Sequence, residues 1–461
     1  MEYSFTFLEK DFNFLNSFLF SVPGVEQAAF LFCGLSQSER ETRFLVTDII
    51  PIQSEELIWQ KKDSLGIPSS SLMRAMKKAD SSGKCFIFVH SHPEKYDKYS
   101  RIDDREECEI FNAAYNRIGQ GVHASLLFYG HGQVIGRVWH SNLTTTKVSR
   151  VRVLGVNKYR IIDSRIDHEV DVSLFDRQII AFGKPIQKLV KHLHIGVVGC
   201  GGTGSAIIEQ LIRLGVRKLS LFDNDTFDIT NINRVHGSTV ADEGIPKVEI
   251  MQRAADSIGL GTQIELINAN IGRSHAASQK LKDCDLIFGC TDDNYGRFIL
   301  NLIAFYYYIP VIDMAVSIDS TGTAELHSIT GRVTKLLPQT SCLLCRGRIS
   351  LELMRTEVMS KEEALKLAKE GYAPALQDRA PAVVCYTTGI ASLAINELIH
   401  LLTGYMGTDR TTTEILILYD GLEILKSNIP PKPNCFCCSN TIIKGIGDTP
   451  DFLGMTWPQE G

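Results

Sequence analysis

Apolar and polar positions alternate differently in the two halves of this chain. Over residues 1–142 the pattern predicts an opening helix, strands at Ala28–Phe32 and Phe44–Ile50, a helix over Ser69–Lys78 and a strand at Cys85–His90. A helix over Arg105–Ile118 and a buried strand at Ala124–Tyr129 follow. Residues 143–171 are polar, with Lys147, Arg150, Arg152, Lys158 and Arg160 and no clear core period, which predicts a connector. From Leu193 the order is β-α-β: strand Leu193–Val198, a glycine turn, helix Ser205–Leu214 and strand Lys218–Phe222. Apolar runs at Leu286–Phe288 and Pro310–Ile312 continue the alternation. The expected fold class is therefore α/β, with one mixed body at 1–142 and a second, doubly wound body at 172–461.

Composition narrows this picture. With 461 residues, 44% of them hydrophobic and 22% charged, the chain reads as ordinary globular protein, large enough for several bodies of about 150 residues. Its 48 basic and 53 acidic residues leave a net charge of −5, with no long run of either sign. Bulk attraction to nucleic acid or to an anionic membrane is not expected. No stretch reaches the roughly 20 apolar residues of a membrane span, and the start carries Glu2, Glu9 and Asp11 where a leader has a basic head. A cytoplasmic location is expected. In a reducing compartment the 12 cysteines suggest buried thiols, metal ligands or nucleophiles rather than disulfides.

His90-Ser-His92-Pro93 lies at the end of a predicted strand, where alternate side chains share a face, and Ser100 and Asp103 follow. Two imidazoles and a carboxylate suit zinc, and a fourth position left to water makes such a site catalytic. Ser100 is placed to donate to a developing oxyanion. The spacing resembles that of the JAMM metalloproteases, which hydrolyse isopeptide bonds at the C-terminus of ubiquitin and its relatives. That resemblance implies a glutamate as general base upstream. Glu26 has the matching surroundings, with Glu55 and Glu56 as rivals.

Gly199-Cys-Gly201-Gly202-Thr-Gly204 follows a strand and opens a helix, and Asp223 ends the next strand. Such a turn brings backbone amides to phosphate, and the acid can accept from ribose hydroxyls. With Asn231, Arg234, Lys247 and Thr291-Asp292-Asp293-Asn294 in order, the segment resembles ubiquitin-activating enzymes and the bacterial molybdopterin- and thiamin-pathway adenylyltransferases. The resemblance implies ATP, with Asp223 on ribose, Asn231, Arg234 and Lys247 on the phosphates, and Asp292 on magnesium. Asp293 departs from it, being an acid where the family has an amide. Upstream, Phe175-Asp-Arg177-Gln178 resembles the segment whose arginine reaches the ATP of a partner subunit, which implies a homodimer.

Cys342-Leu-Leu-Cys345 and Cys435-Phe-Cys437-Cys438 offer two C-x-x-C pairs suited to structural zinc, although Cys437 leaves the second pair ambiguous. Cys385, before the apolar helix Ile390–Leu402, lies where the resembling enzymes carry a thioester-forming cysteine; flanked by Val383 and Val384, it reads equally as a core thiol. Taken together, the chain resembles a bacterial fusion of a JAMM peptidase with an activating enzyme for a ubiquitin-like protein. The expected partners are a ubiquitin-like or sulfur-carrier protein ending in glycine and a conjugating enzyme. By family resemblance, such fusions are associated with defence against phage. Two other readings remain: sulfur-carrier activation for cofactor or amino-acid synthesis, and a catalytically idle scaffold.

Overall fold

The computed structural model describes residues 1–93, 96–119, 121–130, 132–163, 172–320, 326–359, 363 and 381–457. Its first element is a strand, β1 (Glu2–Leu8), and the expected opening helix begins only at Glu9, as α1 (Glu9–Leu19). Ser4, Phe5, Thr6 and Phe7 are all fully buried, so both faces of β1 are covered and small hydroxyl side chains stand where apolar ones were sought. The chain continues through β2 (Ala28–Gln37), β3 (Glu41–Pro51), the hairpin β4 (Trp59–Gln60) and β5 (Leu65–Gly66), α2 (Ser69–Ser82), β6 (Cys85–His92), α3 (Arg101–Ile118), β7 (His123–Tyr129) and β8 (Gln133–Trp139). Three more strands, β9 (Thr145–Lys147), β10 (Arg150–Leu154) and β11 (Tyr159–Asp163), complete a nine-stranded sheet in the order β11-β10-β1-β3-β2-β6-β7-β8-β9.

Those last strands lie in the stretch expected to be a connector. Val151 and Val153 enter the core beside Phe5 and Phe7, whereas Arg150 and Arg152 point to buried carboxylates. A period-two strand whose second face is arginine shows no apolar rhythm, which is why it reads as polar linker. The remainder of that stretch, 164–171, lies outside the described residues.

The second body comprises α4 (Asp176–Phe182), α5 (Lys184–His192), β12 (His194–Val198), α6 (Gly202–Leu214), β13 (Lys218–Phe222), α7 (Lys247–Ile258), β14 (Gln263–Ile267), α8 (His275–Lys280), β15 (Leu286–Gly289), α9 (Asn294–Tyr306), β16 (Val311–Ser320), β17 (Leu326–Leu336), α10 (Leu351–Val358), α11 (Val384–Thr403), β18 (Glu414–Leu418) and β19 (Glu423–Ser427). The sheet order is β14-β13-β12-β15-β16-β17-β18-β19. Strands β14 to β16 pair in parallel, and β16 to β19 are antiparallel. The fold is mixed α/β, and reversal of strand order about β12 puts a crevice at the C-terminal strand ends, where α/β sheets hold ligands.

The two bodies meet across buried charge. Asp285, fully buried, accepts from Arg150 Nη1 at 2.9 Å, Arg152 Nε at 2.8 Å and the His194 amide at 2.9 Å. Burial alone would raise its pKa, but the two guanidinium groups hold it well below the usual carboxylate range. Lys282 Nζ bonds the Gln37 carbonyl and Asp448, and the Asp448 amide donates to Leu35 O.

Candidate metal centre and nucleotide-binding turn

Strand β6 ends at His92, so His90 and His92 share one face and both are buried. Helix α3 faces them, because Ser100 caps it. The Ser100 hydroxyl accepts from the Asp103 amide at 3.1 Å, and the Asp103 carboxylate accepts from the Ser100 amide at 2.5 Å. This reciprocal cap places the start of α3 at Arg101 rather than the expected Arg105, and it aims Asp103 at the imidazoles. His90 Nε2 stands 3.4 Å from Asp103 Oδ1, and His92 Nε2 stands 3.4 Å from Asp103 Oδ2. A tetrahedron of zinc bonds of about 2.0–2.1 Å has edges of about 3.4 Å, so the donor set fits that ion. On its far side, His92 Nδ1 is 3.1 Å from the Tyr96 carbonyl.

Glu26 completes the cluster, its carboxylate 3.6 Å from His92 Nε2. Its backbone is pinned by the β4–β5 hairpin: the Glu26 amide donates to Lys61 O, and the Gln60 side chain donates to Glu26 O. Burial pushes the Glu26 carboxyl up to about 7, against the opposing pull of His90 and His92. The rivals Glu55 and Glu56 are exposed elsewhere, and Glu56 pairs with Arg74 at 2.8 Å. Asp103, which burial alone would raise, is held well below the usual range by the adjacent His90 and His92 imidazoles. A cavity of about 370 Å³ opens beside these groups, walled by Leu65, Leu72, Met76 and Ile110.

In the second body, Gly199 has φ +93°, and a Cβ there would lie 2.8 Å from the Cys290 carbonyl. At Gly204 a Cβ would fall 1.8 Å from the Gly199 carbonyl, so the helix can leave the turn only with glycine there. Gly201 has open space around its Cβ position, and Gly202 faces the Arg234 side chain. Asp223 closes the turn, accepting from the Cys200 amide at 2.6 Å and from the Asp225 amide at 2.8 Å. Burial raises its pKa, with Lys247 opposing.

The other groups surround this mouth with their polar ends engaged by neighbours. Lys247 Nζ meets Asp225 at 2.7 Å; Arg234 Nη1 donates to Thr230 O at 2.9 Å, and its Nη2 to Asn231 Oδ1 at 3.4 Å. Asp293 caps α9 through the Gly296 amide and accepts from Thr291 Oγ1, leaving Asp292 exposed.

Four sulfurs form a third cluster. Cys342 Sγ is 3.5 Å from Cys435 Sγ, Cys345 Sγ is 3.4 Å from Cys438 Sγ, and all four lie within 4.8 Å of one another. Tetrahedral zinc with bonds of about 2.3 Å needs sulfur separations of about 3.8 Å, which the set meets with a slight opening. Cys437, the ambiguous thiol, is buried and accepts from the Asn301 side chain at 3.1 Å.

The sequence profile of the ThiF family matches residues 175–438, which contain the turn, the groups around it and the four cysteines. The chain belongs to the ThiF family. It is 27% identical over 270 residues to the molybdopterin-synthase adenylyltransferase of Escherichia coli, covering 57% of this chain and 95% of that protein. It is 30% identical over 162 residues to ubiquitin-like modifier-activating enzyme 5 of Caenorhabditis briggsae, covering 33% of this chain and 35% of that one. Among solved structures, MccB of Escherichia coli superposes with a TM-score of 0.47 at 18% identity, over 61% of this chain and 78% of that one. The first body lies outside the ThiF match.

Within the ThiF region two further predicted residues stand apart. Arg177 is exposed on the short helix α4, and Cys385 is exposed in the first turn of α11 rather than buried between its valines. The segment between α10 and α11 is largely outside the described residues. Sequence reasoning missed Glu357, whose carboxylate takes the Asn294 and Tyr295 amides at the start of α9. It also missed Glu107 on α3. Neither carries a local signal, because each finds its partners on an element distant in sequence.

Proposed function

We propose that the second body uses ATP to adenylate the C-terminal glycine of a ubiquitin-like or sulfur-carrier protein. The observation that carries this reading is the Gly199–Gly204 turn with Asp223 fixed at its mouth, in a chain of the ThiF family. Asp223 accepts from the ribose, and the amides at the start of α6 cradle phosphate. The partner's terminal carboxylate attacks the α-phosphorus, and pyrophosphate leaves with its bonding electrons. Charge grows on the phosphoryl oxygens, and Arg234, Lys247 and Asn231 meet it by exchanging their present partners for phosphate. Asp292 holds magnesium, which when bound neutralises the departing pyrophosphate.

Cys385 then attacks the acyl adenylate, releasing AMP and forming a thioester; its exposure at a helix start supports this step. Arg177 reaches the ATP of the other subunit in a two-fold homodimer, and the four-cysteine clamp holds structural zinc.

The first body is a zinc peptidase for the C-termini of the same class of partner, in the cytoplasm, with His90, His92 and Asp103 as ligands. Zinc, when bound there, supplies a Lewis acid and an acidified water. Glu26 takes the proton from the attacking water and returns it to the leaving amine, while Ser100 donates to the oxyanion. The link to conjugating enzymes and to phage defence rests on the family resemblance alone. A second reading is activation of a sulfur-carrier protein, in which the adenylate passes to sulfide without a cysteine thioester; likeness to an enzyme named as an adenylyltransferase fits either reading.

The test is ATP–pyrophosphate exchange in the presence of a glycine-ending carrier. Exchange should be lost in Asp292→Ala and kept in Cys385→Ala. A thiol-labile adduct that persists in Cys385→Ala would move the nucleophile elsewhere, and the absence of exchange with every carrier would leave the scaffold reading.

A further inference from the structure

Helix α3 presents two carboxylates one turn apart, and they face opposite nitrogens of the same imidazole. Asp103 lies 3.4 Å from His90 Nε2, and Glu107 Oε1 lies 3.7 Å from His90 Nδ1. Glu107 is 1% exposed. Its two oxygens live differently. Oε2 accepts from Ser125 Oγ, from Arg137 Nε at 2.9 Å and from Trp139 Nε1 at 3.0 Å. Oε1 has no hydrogen-bond partner among the described residues, and neither has His90 Nδ1. Two buried polar atoms, one a fixed acceptor and the other able to carry a proton, are thus aimed at each other.

We propose that Glu107 is the positioning residue of the first-body metal site, accepting from His90 Nδ1–H and so leaving the Nε2 lone pair free for the ion. Glu107 is not itself a ligand, since its free oxygen lies on the side of the ring away from His92 and Asp103. The arrangement mirrors His92, whose Nδ1 meets the Tyr96 carbonyl. Outer partners of this kind fix the tautomer and orientation of a ligating histidine. Ser125, Arg137 and Trp139 hold the carboxylate from behind, and Arg137 balances its charge. The inference rests on reading the first body as a zinc site, but one arm of its test needs no metal.

Glu107→Gln is nearly isosteric and puts the geometry in opposition to itself. Three donors face Oε2, so the amide oxygen must turn to them and its NH2 to His90. The imidazole then has to accept at Nδ1 and carry its proton on Nε2, where the metal would bind. Zinc affinity of the first body, read by competition with a chromophoric chelator, should fall about 10–100-fold, with the clamp zinc and the melting temperature near wild type. In zinc-free protein carrying Asp103→Ala, which removes the acceptor 3.4 Å from His90 Nε2, histidine nitrogen shifts should show His90 as the Nδ1–H tautomer with Glu107 intact and as Nε2–H with Glu107→Gln. Unchanged affinity and an unchanged tautomer would overturn the proposal. If wild type takes up no zinc that His92→Ala lacks, the metal reading fails, and the tautomer alone decides for or against Glu107.

Discussion

The candidate metal site of the first body and the glycine turn of the second solve opposite problems. Glu26, His90, His92 and Asp103 converge while buried, and Glu26, Asp103 and His92 are held from behind by a hairpin, a helix cap and a carbonyl. Around the turn, only the glycine backbone and Asp223 are set, whereas Asp292 is exposed and Lys247 and Arg234 are engaged by neighbours that a phosphate would displace. A small ion with short bonds requires donors fixed to within a few tenths of an ångström, so rigid elements must carry them. A nucleotide is large and charged, and it can draw loop side chains to itself. The first site is therefore legible as finished geometry, the second as a frame to be closed by its ligand.

The most drastic way to break this contrast is to disrupt the four-cysteine cluster of the second body. A structural zinc site can be worth about 10 kcal/mol of folding, so Cys342→Ser should unfold the C-terminal part of the second body. Exchange should disappear while one zinc stays in the first body, as counted by elemental analysis. Loss of both zincs would mean the bodies fold as one unit.

Next is the seam. Asp285→Asn takes the shared counter-charge from Arg150 and Arg152; because Asp163 and Glu41 remain paired with them, the cost should be about 3 kcal/mol, the low end for breaking a buried pair. Denaturant unfolding should shift by that amount. A shift under about 1 kcal/mol would show that Asp163 and Glu41 balance the two guanidinium groups without Asp285.

Each body carries an acid-sensitive histidine, His123 in the first and His400, which burial pushes down to about 4, in the second. Burial pushes His123 down to about 4 from 6.5, while its ring accepts from the Phe86 amide. The native state therefore binds fewer protons than the unfolded chain below pH 6.5, so stability falls with pH and keeps falling toward pH 4. Between pH 7 and 5 this group alone should cost about 2 kcal/mol. His123→Gln keeps an acceptor without titrating and should flatten the slope of melting temperature against pH; an unchanged slope would remove His123 from the account.

The smallest expected effect separates two glycines of one turn. Gly201→Ala should change stability by less than about 0.5 kcal/mol, because its Cβ meets nothing, and should act only on nucleotide binding. Gly204→Ala, whose Cβ collides with the Gly199 carbonyl, should lose fold and binding together. Equal melting temperatures for the two variants would contradict the geometry.

The same contrast governs what could be read in advance. His90 and His92 were legible because strand period alone puts them on one face, and the β-α-β rhythm around the glycine turn announced its sheet. Ser100 and Asp103 carry a chemical signal that masks their capping role, which is why α3 starts at Arg101, ahead of the expected Arg105. Arg150 and Arg152 hid a core strand, since their partner Asp285 lies in the other body. Glu107 looks like a solvated helix residue until Ser125, Arg137 and Trp139, on strands after it, fold against it. Local periodicity is visible in a sequence; charge pairing across long separations is not.

The central claim, that the second body is an adenylating frame completed by its ligands, is tested most directly by isotope exchange between pyrophosphate and ATP. The wild-type chain should exchange only when a protein ending in glycine is present, and Asp292→Ala should bind that protein but not exchange. Wild-type exchange in Asp292→Ala, or exchange without any carrier, would contradict the account.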